Sequence, residues 1–331
     1  MAYIKAISYY LPKRIVTNED LVKEFPEWTV EKIASKVGVS ERHVSAEGET
    51  AGDMAIKAAE NLFLENNIDR NIIDFVLLCT QSSDYFLPST ACIIQNKLGL
   101  PTSCGALDFN LGCSGYEYGL ALAKGLVKGG IARNILLLTA ETYNKYIHCC
   151  DKGNRTIFGD GATASLISTE GFAEIGEFVY GTDGSGADGL IVKTGASRNR
   201  DRLNDLSFDD NDNPHSSDNL FMDGKAIFDF TVKAVPQMVN DVIEKNGLSK
   251  EDVDLYVFHQ ANKYMINYLR KFIRIEKEKF FEYLDKVGNT VSSTIPIALC
   301  EARKGNRLHG NILLAGFGVG FSWGGCVIKV E

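Results

Sequence analysis

Three side chains in this sequence have the types that nucleophilic acyl chemistry needs. Cys113 stands in Ala106-Leu107-Asp108-Phe109-Asn110-Leu111-Gly112-Cys113-Ser114-Gly115-Tyr116. A thiolate attacks an activated carbonyl and can hold the acyl group covalently until a second partner arrives. His259 stands in Asp254-Leu255-Tyr256-Val257-Phe258-His259-Gln260-Ala261-Asn262, and an imidazole donates or accepts a proton near neutral pH. Asn289 follows Val287-Gly288 and precedes Thr290-Val291-Ser292-Ser293-Thr294-Ile295-Pro296. Its amide does not titrate, so it donates hydrogen bonds at any pH. Cysteine, histidine and asparagine in that chain order are compatible with nucleophilic catalysis. Each also has a plainer reading: a small buried Cys at a strand–helix junction, a satisfied structural His, and a Gly-Asn turn.

Chemistry requires elements that deliver these residues. Short continuous apolar runs flanked by helical patterns imply a sheet covered on both faces. Strands are expected over 75–80, 107–111, 134–140, 162–168, 173–180, 255–258, 311–315 and 325–330, and helices over 89–98, 116–127, 226–246 and 263–272. Cys113 then falls at the first turn of a helix, where unpaired N–H groups and the positive end of the helix dipole favour a thiolate. His259 falls at the end of a strand. Asn289 falls in a turn ahead of another helical stretch, in a loop neighbouring that of His259. Residues 197–219 are polar and rich in Asp and Asn. They read as a long surface loop, either a solvated insertion or a flap beside a substrate entrance, with His215 exposed in it.

Composition narrows the setting. Apolar residues make up 45% and charged residues 24% of 331, the balance of a soluble enzyme with a large core. A net charge of −8 argues against nucleic-acid and anionic-membrane partners. The eight cysteines include no C-x-x-C pair, so no metal site is expected. The N-terminus lacks the pattern of a signal peptide, and no apolar run is long enough to span a membrane. A reducing cytoplasm is the expected location.

The combination of Gly112-Cys113-Ser114-Gly115-Tyr116, Phe258-His259-Gln260-Ala261-Asn262, Gly288-Asn289-Thr290 and Gly316-Phe317-Gly318-Val319-Gly320-Phe321-Ser322-Trp323-Gly324 resembles the beta-ketoacyl-acyl-carrier-protein synthase III family of thiolase-like condensing enzymes. Residues 38–43, 87–91, 158–162 and 221–224 add to the likeness, which spans nearly the whole chain.

The resemblance implies an α/β fold of two similar halves in a five-layered αβαβα stack. Residues 1–170 would carry the nucleophile, and 171–331 the His and Asn. It implies acylation of Cys113 by an acyl-CoA, with the backbone N–H groups of Cys113 and Val319 as the oxyanion hole. A decarboxylative Claisen condensation with malonyl carrier protein follows, assisted by His259 and Asn289. Phe317 would wall the malonyl carboxylate. Leu87 would enter the acyl pocket of a second subunit in a homodimer, and a Leu there hints at a roomier pocket. Lys32, Lys36 and Lys152 would ring the entrance for the anionic coenzyme A and carrier protein, near Phe221 and Gly224. Trp28 lies too far from Gly38 for the family's adenine-stacking Trp to be transferred to it. No cofactor is implied beyond the coenzyme A thioester substrate. Two further readings keep or change the class: a specialised condensing enzyme or acyltransferase of a secondary-metabolite or surface-polysaccharide pathway, and a non-catalytic partner subunit.

Overall fold

The computed structural model describes every residue except Asn211. Nine strands form the main sheet: β1 (Tyr3–Tyr10), β2 (Phe75–Cys79), β3 (Gly105–Phe109), β4 (Ile135–Glu141), β5 (Gly161–Ser168), β6 (Ala173–Thr182), β7 (Val253–Phe258), β8 (Gly310–Gly318) and β9 (Ser322–Val330). Six helices pack on them: α1 (Ala51–Glu65), α2 (Thr90–Lys97), α3 (Gly115–Lys128), α4 (Gly224–Lys245), α5 (Lys263–Ile273) and α6 (Thr294–Lys304). The strand order is β7-β8-β9-β6-β1-β5-β4-β2-β3.

Outward from the centre, the same pairings recur on both sides. β1–β5 and β5–β4 are antiparallel, and β4–β2 and β2–β3 are parallel. On the other side β6–β9 and β9–β8 are antiparallel and β8–β7 is parallel. An isolated parallel bridge from Tyr256 to Phe280 stands where a fifth strand would. Within the sheet the two sides are joined by β1 and β6, which pair Tyr3 with Glu174 and Ile4 with Ala173. The expected boundary near residue 170 falls between β5 and β6.

Period-2 alternation sorts the strand residues into layers. Val76 and Leu78 face an outer core with α1 and α2, while Leu77 faces the middle. Tyr256 and Phe258 face the opposite outer core with α4 and α5, while Leu255 and Val257 face the middle. The middle layer is α3 and α6, through Tyr116, Leu120, Ala123, Ile295, Ala298 and Leu299. The result is the five-layered stack. Every strand and helix expected from the sequence is present, with ends shifted by a few residues; α6 is the helical stretch expected after Asn289, and α1 and β1 were not expected. Within 197–219, Ser207–Phe208 pairs with Pro214–His215 as a small hairpin. His215 is exposed there, with Asp209 at 3.7 Å.

Candidate active site

Cys113 lies between the end of β3 and the start of α3. The Gly115 N–H closes that turn onto Gly112 O at 2.8 Å. The thiol is 6% exposed. The backbone N–H groups of Val319 and Cys113 both pull the thiol toward its anion, so the two donors expected of an oxyanion hole lie on the side of the sulfur. Val319 is held there by the hairpin between β8 and β9, where Gly318 pairs with Ser322. A side chain at 318 would bring a Cβ within 2.8 Å of Cys113 Sγ. Glycine is what allows this backbone to approach the nucleophile.

The expected thiolate does not follow. Burial, then the nearby Glu141 carboxyl, push the Cys113 thiol up to about 12 against the pull of the two N–H groups. A single helix turn cannot offset the loss of water around a fully enclosed sulfur. Glu141, at the end of β4, is itself pushed up to about 8 by burial. It accepts hydrogen bonds from Gln81 N–H at 3.0 Å and Ser82 Oγ at 2.9 Å.

His259 sits just past β7, its N–H bonded to Ala315 O at 2.8 Å. It is 2% exposed, and burial pushes its pKa down to about 3, so the ring rests neutral. Nδ1 lies 2.7 Å from Thr294 Oγ1, and that hydroxyl has a second option in Val291 O at 3.1 Å. A Thr294 hydroxyl donating along the shorter contact leaves Nε2 carrying the proton.

Nε2 lies 3.5 Å from Asn289 Nδ2. The Asn289 amide has one orientation that satisfies its surroundings: Oδ1 accepts Val291 N–H at 2.9 Å, so Nδ2 turns toward His259. Its backbone is clamped by N–H to Ile157 O at 2.9 Å and by O from Gly159 N–H at 3.0 Å. Gly288 supplies the positive φ of 69° that this turn requires, and Val291 holds the unusual φ of 57°. Phe317 meets the His259 ring edge to face at 5.6 Å.

Cys113, Val319, Phe317, His259 and Asn289 are thus gathered between the ends of α3, α6, β7 and β8. The remaining candidates lie elsewhere. Lys32 stands over the Trp28 ring at 4.9 Å, and Lys152 pairs with Glu27, so Trp28 shares the locale of two of the expected lysines. Lys36 is exposed on the same short helix as Lys32, Val30–Val37. Phe221 is exposed and pairs with Ile191 ahead of Gly224, the first residue of α4. Tyr85, Phe86 and Leu87 form an apolar tip, 64%, 83% and 82% exposed.

Sequence reasoning missed four side chains around the site. Gln81 and Tyr143 carry no motif signal, and Thr294, in the stretch after Asn289, was given no role. Glu117 is visible only as a charge in an apolar helical stretch. It is buried, burial pushes its pKa well up, and neither carboxyl oxygen has a hydrogen-bond partner among the described residues. Among the described residues, His148, Cys149 and Cys150 bring one potential metal-ligand atom each within 4.8 Å of one another, where the sequence pattern gave no metal site. No helix among the described residues is long and apolar enough to cross a membrane.

A groove of about 970 Å³ opens beside Val319, lined by Gln81, Asn110, Tyr143, Leu190 and Leu220. The 197–219 loop contributes Arg202, Asp218 and Asn219 to it.

Residues 107–184 match the family model for 3-oxoacyl-[acyl-carrier-protein] synthase III, and residues 243–330 match the model for its C-terminal part. A beta-ketoacyl-[acyl-carrier-protein] synthase III of Clostridium perfringens is 37% identical over 97% of both chains. A crystal structure of a 3-oxoacyl-(acyl-carrier-protein) synthase III superposes with a TM-score of 0.97 at 45% identity, covering 99% of each chain. The priming beta-ketosynthase of the R1128 polyketide pathway superposes at 0.87 with 26% identity, covering 100% of this chain and 96% of that one.

Proposed function

The chain belongs to the 3-oxoacyl-[acyl-carrier-protein] synthase III family, and from that premise we propose that Cys113, His259 and Asn289 carry the family's condensation. The enzyme is an acyltransferase of the condensing type. It joins an acyl-CoA primer to malonyl carrier protein, forms 3-oxoacyl carrier protein, and so starts a fatty-acid chain.

In the first half-reaction Cys113 Sγ bonds to the acyl carbon and the carbon–sulfur bond to coenzyme A breaks. The Cys113 proton leaves with the coenzyme A thiol. The N–H groups of Cys113 and Val319 hold the developing oxyanion; losing one such donor typically costs about 3 to 4 kcal/mol. In the second, malonyl thioester loses carbon dioxide and leaves an enolate. Asn289 Nδ2 and His259 Nε2–H donate to its oxygen. The enolate carbon attacks the acyl thioester and Cys113 departs as thiolate. Phe317 presents an apolar face where the carboxylate is lost.

The observation that carries this assignment is the close approach of the Gly318–Val319 backbone to Cys113 Sγ, with Phe317 of the same strand against the His259 ring and the Asn289 amide turned toward that ring. Intact-protein mass spectra after incubation with acyl-CoAs, chased with malonyl carrier protein, test it. A mass gain on Cys113 that the chase discharges as 3-oxoacyl product is expected. Label that persists in Cys113→Ala would assign the nucleophile elsewhere. Label that malonyl carrier protein cannot discharge would favour a specialised acceptor.

Lys32, Lys36 and Lys152 supply charge for the anionic substrates, and Phe221 and Gly224 contribute to substrate binding. The Tyr85–Leu87 tip supports a homodimer in which Leu87 enters the partner's acyl pocket, because three consecutive exposed apolar side chains gain by burial. Light scattering should give twice the chain mass, and Leu87→Asp should lower it. The assignment carries with it a cytoplasmic setting, no cofactor beyond the coenzyme A thioester, and two halves meeting near residue 170.

A further inference from the structure

The condensation leaves three polar side chains beside the nucleophile unused. Gln81 stands two residues past β2. Its Oε1 lies so near Gly112 that a Cβ there would come within 2.7 Å of it, one residue before Cys113. Tyr143 Oη donates to that oxygen at 2.5 Å, and Gln81 Nε2 donates to Asn110 Oδ1 at 2.9 Å. The backbone of Gln81, the middle member, is held on both sides. Gln81 N–H is held by Glu141 at 3.0 Å, and Tyr146 Oη reaches Gln81 O at 3.3 Å. Tyr143 is buried in the same cluster as Cys113, Phe158, Leu190 and Leu220.

These polar groups form one wall of the groove beside Val319, with Leu190 and Leu220 in the same lining. A pocket for a plain alkyl chain is apolar throughout, and its few polar groups are placed to meet polar groups of the ligand. Each primary amide has two N–H donors. Gln81 spends one on Asn110, and Asn110 is engaged only through its oxygen. The other Gln81 N–H and both Asn110 N–H bonds have no partner among the described residues. An alkyl chain covering them strips water from donors and returns nothing. An oxygen on the acyl chain accepts them.

We propose that the Tyr143–Gln81–Asn110 wall selects acyl-CoA primers that carry a hydroxyl or carbonyl oxygen on the acyl chain over alkyl primers of the same length. The proposal rests on the assignment of Cys113 as the acyl-accepting thiol and names the substrate class that thiol receives. Gln81 and Tyr143 act here as specificity residues, with no part in the bonds made and broken.

The test compares initial rates of Cys113 acylation by intact mass for two matched pairs: butanoyl-CoA against 3-hydroxybutanoyl-CoA, and pentanoyl-CoA against 4-oxopentanoyl-CoA. The oxygenated member of at least one pair should load about tenfold faster or more, as expected of a site built to hydrogen-bond its substrate. Gln81→Leu and the near-isosteric Tyr143→Phe should each bring that ratio toward one. Alkyl primers loading as fast in both pairs overturn the proposal. So does a preference that survives both substitutions, since a merely structural hydrogen-bond chain would not set the ratio. If no thioester labels Cys113, the underlying assignment fails and takes the proposal with it.

Discussion

Cys113 rests as a thiol and His259 as a neutral imidazole, and the same enclosure does both. The thiolate therefore forms only as the acyl carbon arrives. Alkylation of Cys113 by iodoacetamide, followed by mass, should keep rising with pH beyond 9, because the thiol ionises near 12. A plateau near pH 7 would mean a standing thiolate. Thr294 is the side chain that faces Nδ1 of His259, at 2.7 Å. Thr294→Val keeps the shape and removes the hydroxyl. Condensation should fall about 10- to 100-fold while acylation by acyl-CoA stays nearly unchanged, the loss expected when a positioned proton donor is misassigned. Equal loss of both half-reactions would make Thr294 a packing residue. The motifs around Cys113, His259 and Asn289 were legible in the sequence because each sits beside glycines or at a strand end. Thr294, Gln81 and Tyr143 were not, since their contacts join residues up to 62 apart and follow no local pattern.

At the scale of elements, the site depends on the β8–β9 hairpin pressing Val319 onto the start of α3. Gly318→Ala places a methyl 2.8 Å from Sγ and 2.9 Å from Cβ of Cys113. One or the other must shift by a few tenths of an ångström. Acylation should drop about 100-fold with the fold retained, since small displacements of reacting groups cost that much. Unchanged acylation, measured beside an unchanged circular dichroism spectrum, would show that the hairpin yields freely. The elements themselves were readable in advance because strands covered on both faces are unbroken apolar runs, such as Phe75 to Cys79. The dipole argument for Cys113 failed for the same reason the runs were readable: the stack buries whatever lies at its strand ends. Trp28 was set aside on sequence distance from Gly38. The short helix Val30–Val37 nonetheless brings Lys32 over its ring.

For the whole molecule, buried groups of opposite kind set the pH range of stability. His259 has its folded pKa depressed to about 3 from 6.5. Its contribution is present above pH 6.5 and is lost as pH falls toward 3. Glu117 and Glu141 are raised from 4.5, Glu141 to about 8. Their contributions are present below 4.5 and are lost as pH rises through the folded values. Glu117→Gln removes one carboxyl that must stay protonated. The difference in Tm between the variant and the parent should grow in the variant's favour from pH 5 to pH 8. A constant difference would mean that Glu117 ionises in place. The two sides of the sheet, finally, share one core through α3 and α6, and the nucleophile comes from one side and the decarboxylating pair from the other. Turnover is therefore a gauge of the joint between them. On gentle heating, the rate of carbon–carbon bond formation should fade together with the helical signal, because the joint and both sides are built on one buried core.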